Sequence, residues 1–386
     1  MSTRGNALAG SLAATLEAIE IHQLISKATD SSIAGNEVLF DAGAPTHFVT
    51  RLGRNPSCRF SHERYALLET SVRTLGEAFE LTPGPRAEKS LCVPDMPFLS
   101  RLICAACDHE EKRWRLRDSL EESSLACPHC SRPRAIRGFD LQERLSGRDL
   151  PSADLNRSLA DLGLREGEAF SLESEHVAAQ HFILTNLETP DPEGSGVALI
   201  IAGLGNIGSF LAPLVARMEP VTRILLCDPD TYEPDQHLSQ DIPAHAVGRP
   251  KAEVQAERLL AIRSELEVEA FVAPVERLPL GKLRGAIVAS CLDSRAARLH
   301  LASRAWRAGS PFVDAAVGGG PSLLVRTNAY LPGPDAACFE CAFDERDYAS
   351  LEQIFPCETA AAAASHESRV APTHSEPGLS PSSTTA

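Results

Sequence analysis

Four cysteines in two pairs, Cys104-Ala105-Ala106-Cys107 and Cys127-Pro128-His129-Cys130, carry the strongest metal chemistry that spacing alone reveals. Each pair offers two thiolates from one tight turn, and two such pairs close a tetrahedral four-sulfur site suited to zinc. Four thiolates leave no open coordination position, so the site is expected to be structural. The alternative is a pair of redox motifs or buried cysteines. A second group of residues surrounds Gly203-Leu204-Gly205-Asn206-Ile207-Gly208. These glycines allow a tight turn and a close backbone approach to a phosphate, and the free N–H groups of a following helix attract the anion. Asp228, twenty residues past Gly208, falls where a carboxylate can take a ribose hydroxyl. On its own this turn fits a nicotinamide or flavin dinucleotide as its commonest ligand.

The elements that must position these groups follow from the pattern of apolar residues. Val197 to Ala202 is a strand candidate that runs into the glycines, and Ile207, Phe210, Leu211, Leu214, Val215 and Met218 recur at helical spacing. Ile224 to Cys227 is a second strand ending at Asp228. Pro250 to Ile262 reads as a helix with proline in its first turn. Strands are expected at Val268 to Val272, Ala286 to Ser290, Phe312 to Val317 and Leu323 to Tyr330, with a helix from about Ser294 to Ala308. Alternating strands and helices predict an α/β fold: a Rossmann-like, doubly wound, mostly parallel sheet. Before it, Ala7 to Lys27 reads as an amphipathic helix, with strands at Glu37 to Asp41 and His47 to Leu52 and another helix from Tyr65 to Phe79. Leu155 to Leu172 reads as a short helix, a turn and a strand. The tail from Val370 onward is rich in Ser, Thr and Pro and is expected to be disordered.

Composition sets the outer limits. At 386 residues the chain has room for two or three domains, and a net charge of −15 argues against nucleic acid or an anionic membrane as the main partner. No run of about eighteen apolar residues exists, so no transmembrane helix is expected. Six of the eleven cysteines lie in CxxC pairs or close to that spacing, which fits metal in a reducing, cytoplasmic compartment better than disulfides.

Four features past the glycine turn belong together: Asp228-Pro229-Asp230 with Gln240 downstream, Gly248-Arg249-Pro250-Lys251, Cys291-Leu292-Asp293-Ser294, and Cys338-Phe339-Glu340-Cys341. The set resembles the ThiF/MoeB/HesA family, bacterial relatives of ubiquitin-activating enzymes, over roughly Gly196 to Cys357. The resemblance implies ATP-dependent adenylation of the C-terminal carboxylate of a small ubiquitin-like or sulfur-carrier protein ending in Gly-Gly, with Mg2+, and it implies a homodimer. It places Gly203, Gly205, Asn206, Gly208, Asp228, Asp230 and Gln240 around the nucleotide, Lys251 on its phosphates and Asp293 on the magnesium. Cys357 resembles the position from which some members offer a thiol to the activated carboxylate. In this family the CxxC after the sheet pairs with a second ligand pair near the domain's end. Here the opening of the chain resembles that missing end, so Cys58 and His62 would join Cys338 and Cys341 in a second zinc site. The same reasoning expects the first helix to pack its Leu12, Leu16 and Ile19 face on the sheet carrying Val197 to Ile201.

The resulting division is 1–62 as helix and strands resembling the closing part of a ThiF-type domain, 63–150 as linker helix and zinc ribbon, 151–195 as a connecting segment, 196–357 as a ThiF-type adenylation domain and 358–386 as tail; a circular permutation, a remnant of a tandem domain and a swap between two chains each fit the front segment. The chain also departs from the family. The family's Asn and Arg in the loop after Asp228 fall on Gln236 and Ser239, and Glu175 to Gly196 contains no arginine where an arginine finger normally precedes the first strand. A nucleotide-binding scaffold that recruits such a partner is therefore the first rival reading. A nicotinamide-dependent oxidoreductase is the second, and Lys251, Asp293 and the Cys338/Cys341 pair disfavour it.

Overall fold

In the computed structural model of the chain, residues 6–27, 32–44, 46–120, 122–174, 177–185, 196–318 and 323–352 are described. The chain opens with α1 (Ala7–Ile25), β1 (Asn36–Asp41) and β2 (Thr46–Arg51). A middle region follows, with β3 (Leu67–Thr70), α2 (Leu75–Glu80), β4 (Lys89–Cys92), β5 (Phe98–Ile103), β6 (Glu110–Leu116), β7 (Leu141–Gln142), β8 (Arg144–Ser146), β9 (Ala169–Ser174) and β10 (Gln180–Leu184). The α/β region then runs β11 (Val197–Ala202), α3 (Gly208–Val215), β12 (Val221–Cys227), α4 (Lys251–Ile262), β13 (Glu267–Phe271), α5 (Leu280–Leu283) and β14 (Ala286–Ser290). It closes with α6 (Arg295–Ala308), β15 (Phe312–Val317), β16 (Leu324–Tyr330) and α7 (Glu345–Glu352).

The large sheet has eight strands in the order β13-β12-β11-β14-β15-β16-β1-β2. The first five run parallel, and the inner strands β11 and β14 are near-continuous apolar runs, as strands covered on both faces should be. β16, β1 and β2 add on in antiparallel register, Glu37 opposite Asn328 and Val38 opposite Val49. The first two strands of the chain thus extend the sheet built by residues 197–330. One face packs Leu199, Ile201, Leu211, Ile224 and Leu226 with α1. The other packs Ile200, Val288, Leu301, Phe312 and Tyr330. Local signals set the helix ends: the Ser294 side chain accepts from the Ala297 N–H to start α6, and Gly309 at φ 74° ends it in the left-handed conformation that glycine tolerates.

The face of α1 differs from the expectation. Ala9, Gly10, Ala13, Ala14, Glu17, Ala18 and Ile21 are buried, while Leu12 and Leu16 are only partly covered, Ile19 is 50% exposed and Leu8 is 72% exposed. Small residues let the helix axis approach the sheet and α3 closely, and a face of leucines would hold it off. The expected helix over Tyr65 to Phe79 is instead β3 followed by α2. Thr74 and Glu77 form a capping box that starts the helix ten residues later than periodicity suggests. In Leu155 to Leu172 a 3-10 turn replaces the expected helix, and the strand is β9. β9 and β10 belong to a second sheet, order β3-β10-β9-β4-β8, which takes strands from both sides of residue 150. That sheet has its own core around Leu75, Phe79, Leu91, Phe98, Phe170 and Phe182. The third sheet, β6-β5-β7, carries the Cys104 to Cys130 region on a small apolar cluster of Leu99, Leu102 and Leu120. Among the described residues no helix is long and apolar enough to cross a membrane.

Candidate nucleotide and metal sites

The strand order reverses at β11, which leads to β12 on one side and borders β14 on the other, and a crevice opens at such a point beyond the strand ends. A cavity of about 640 Å³ lies there, lined by Gly203, Gly205, Asn206, Asp228, Asp230, Gln240, Lys251 and Asp293 among others. Its volume is in the range of small-molecule sites. Gly203 has φ +86°, and a Cβ on it would meet the Cys291 carbonyl oxygen at 2.7 Å. A Cβ on Gly208 would meet the Gly203 carbonyl oxygen at 1.9 Å. Gly205 differs: its nearest neighbour would be the Gln240 amide nitrogen at 3.9 Å, so its missing side chain leaves space facing the cavity.

Asp228, at the end of β12, is buried and accepts the Leu204 N–H on Oδ2 at 2.6 Å and the Asp230 N–H on Oδ1 at 2.9 Å. Burial pushes its carboxyl above the ordinary aspartate range, and the Lys251 ammonium opposes that shift. Lys251, at the start of α4, donates to Asp230 Oδ2 at 2.9 Å and lies 4.0 Å from Asp228 Oδ1. Asp293 is exposed at the rim. Asn206 Oδ1 and Gln240 Oε1 are buried with no hydrogen-bond partner. The open glycine cradle at Gly205 and the buried Asp228–Lys251 pair fit a polar ligand, as a nucleotide is.

Sequence reading missed Arg298. It lines the same cavity from α6, donates to the Leu292 carbonyl at 2.6 Å and pairs with buried Asp314 at 3.2 Å. Lys251 and Arg298 are the cations among the described lining residues, and both are ion-paired. Gln236, where the family carries asparagine, also lines the cavity, while Cys357 lies outside the described residues.

Both metal quartets converge. Cys58, His62, Cys338 and Cys341 offer ligand atoms within 4.8 Å of one another, as do Cys104, Cys107, Cys127 and Cys130. In the first, Cys58 and Cys338 sulfurs are 3.7 Å apart, and His62 Nε2 is 3.1 Å from the Cys341 sulfur. His62 Nδ1 bonds the Phe60 carbonyl at 2.9 Å, which fixes the tautomer that leaves Nε2 for a metal. In the second, Cys104 and Cys130 sulfurs are 3.5 Å apart, and Cys107 and Cys127 are 3.7 Å apart. Two matching turns hold them, with Asp108 N–H on the Cys104 carbonyl and Ser131 N–H on the Cys127 carbonyl. The Ala106 N–H at the Cys104 sulfur draws that thiol down to about 6. Sulfur separations near 3.7 Å match zinc bonds of about 2.3 Å in a tetrahedron.

The fold and cleft define a doubly wound α/β protein with a nucleotide-type crevice. Residues 195–372 match the ThiF family, and the chain therefore carries a ThiF family domain. Among solved structures it is similar to E. coli MccB with ATP, at 22% identity over 44% of this chain and 53% of that one, with a TM-score of 0.32. It is also similar to PaaA, at 20% identity over 39% and 46%, with a TM-score of 0.32. A third is E. coli tRNA N6-threonylcarbamoyladenosine dehydratase, TcdA, at 28% identity over 33% and 54%, with a TM-score of 0.29. The chain spans about half the length of the solved structures it matches. No curated protein matches it.

Proposed function

We propose that the chain uses ATP to adenylate a C-terminal carboxylate, that of a small ubiquitin-like or sulfur-carrier protein. The observation that carries this reading is the gathering of Gly205, Asn206, Asp228, Gln240, Lys251 and Asp293 around one cavity in a ThiF family domain. Attack of a carboxylate on the α-phosphorus joins two anions, so fixed positive charge and backbone dipoles must offset them in the transition state. Asp228 is the group for the ribose, and the backbone of the glycine turn with Lys251 is the group for the phosphates. Lys251 would leave Asp230 to meet them. Magnesium, held through Asp293, would neutralise phosphate charge. Each zinc quartet is proposed as structural. Cys357 is proposed as a thiol that can take the activated acyl group, and the working unit as a homodimer.

The experiment is ATP–pyrophosphate exchange in the presence of a candidate carrier ending in Gly-Gly. Exchange is expected with the wild type, and Lys251→Ala should lower it by roughly 10² to 10³. ATP binding without exchange for any carrier would favour the scaffold reading. That rival draws on the ion-paired state of both cleft cations and on Gln236 and Ser239 standing where the family has Asn and Arg. Tight NAD binding without ATP binding would overturn both.

A further inference from the structure

The glycine turn is held from behind by a chain of hydrogen bonds that starts on α4. Arg258 donates to Gln255 Oε1 at 2.9 Å, Gln255 Nε2 donates to the Tyr232 hydroxyl at 2.7 Å, and that hydroxyl donates to the Leu204 carbonyl at 3.0 Å. Chemistry fixes the direction. A guanidinium only donates, so the amide must turn Oε1 toward Arg258 and Nε2 toward Tyr232. A carbonyl only accepts, so the hydroxyl proton lies on the Leu204 side. Gln255 and Tyr232 are both buried, and water does not compete for these bonds. The ends are anchored too. Asp241 Oδ2 accepts from Arg258 at 2.6 Å, the Tyr232 N–H donates to the Arg249 carbonyl at 3.0 Å, and the Tyr232 carbonyl accepts the Gly248 N–H at 2.7 Å.

We propose that Tyr232 and Gln255 are positioning residues that aim the Gly205 N–H at a nucleotide phosphate. The Leu204–Gly205 peptide is planar and trans, so its C=O and N–H point in opposite directions. With the carbonyl held toward buried Tyr232, the N–H turns to the open side, where Gly205 lines the cavity and a Cβ would find space. Among the described residues no acceptor takes this N–H. Asp228 fixes the preceding peptide by accepting the Leu204 N–H at 2.6 Å, so the turn is set before a ligand arrives. Every bond of the relay points the same way. The Arg258 charge therefore polarises it toward the turn and makes the Gly205 N–H a stronger donor. The assignment rests on reading the cleft as a nucleotide site, and it concerns the phosphates rather than the base or the ribose.

The test is calorimetry with MgATP and with adenosine, which has no phosphate. Tyr232→Phe removes only the hydroxyl, and it is expected to weaken MgATP about tenfold while adenosine binds as it does to the wild type. Gln255→Glu keeps the side-chain shape but reverses one bond. Its carboxylate, charged beside Arg258, accepts from the Tyr232 hydroxyl and turns that proton away from Leu204, so the same phosphate-specific loss is expected. Should Tyr232→Phe fail to fold, Gln255→Glu decides on its own. Equal weakening of MgATP and adenosine would mark the relay as merely structural and overturn the proposal. Unchanged MgATP binding in either variant would overturn it as well. A wild type that binds MgATP with both variants matching it sinks the relay alone, and a wild type that binds neither ligand sinks the nucleotide reading beneath it.

Discussion

Glu17 shows how strongly position governs a single side chain. It sits on the buried face of α1, fully enclosed, where its Oε2 accepts from the Cys291 thiol at 3.3 Å and its Oε1 has no partner. Burial pushes its carboxyl well above the ordinary glutamate range, with Asp314 adding to the shift and Arg298 opposing it. A folded pKa above the unfolded one means that the protonated form stabilises the fold. Its contribution is complete below the unfolded value of about 4.3 and is lost as pH rises toward the folded value. Glu17→Gln does not titrate, so it should gain thermal stability over the wild type as pH climbs from 4.5 to 8. A melting-temperature difference that stays constant over that range would refute the argument. Gly203, Asp228 and Lys251, which line the cleft, are tied to one another by short local segments. Arg298 depends on where α6 settles against the sheet, so no local pattern identifies it.

Among elements, α1 separates two ways of reading a helix. Periodicity of large apolar residues pointed to Leu12, Leu16 and Ile19, yet the covered side is the one rich in alanine. The axis lies so close to the glycine loop that a Cβ on Gly10 would meet Asn206 Oδ1 at 2.3 Å. Ala13→Leu should therefore cost about 1–3 kcal/mol in chemical denaturation, the usual price of overpacking. Ile19→Ser, on the exposed side, should change stability by no more than about 0.5 kcal/mol. The reverse ranking would mean that α1 docks through its leucines. The same gap between pattern and packing explains β3 and β10. Both are short strands that pair in parallel across more than a hundred residues, a partnership invisible to local propensity.

Across the whole molecule, residues 1–62 and residues 197–341 share one sheet and one metal quartet. A chain lacking residues 1–62 would lose β1, β2, α1, Cys58 and His62 together. It should bind about half the zinc of the full chain, because one quartet of two remains intact, and it should melt without a cooperative transition. A truncated protein with unchanged zinc and a sharp transition would show that the front segment is dispensable. The class of fold was legible because alternation of apolar runs and helices is local. The merging of residues 63–185 into a second sheet was not, because its strands are short and far apart in sequence. The pairing of β1 with β16 spans roughly 290 residues. At synthesis rates of about 5–20 residues per second, the opening helix and hairpin leave the ribosome tens of seconds before β16 exists. During that interval β1 has only β2 to bond, and the apolar Val38 and Phe40 have no sheet to join. Birth order thus makes this hairpin the part of the protein that most needs a chaperone, and the β1–β16 seam the natural place for two nascent chains to exchange strands.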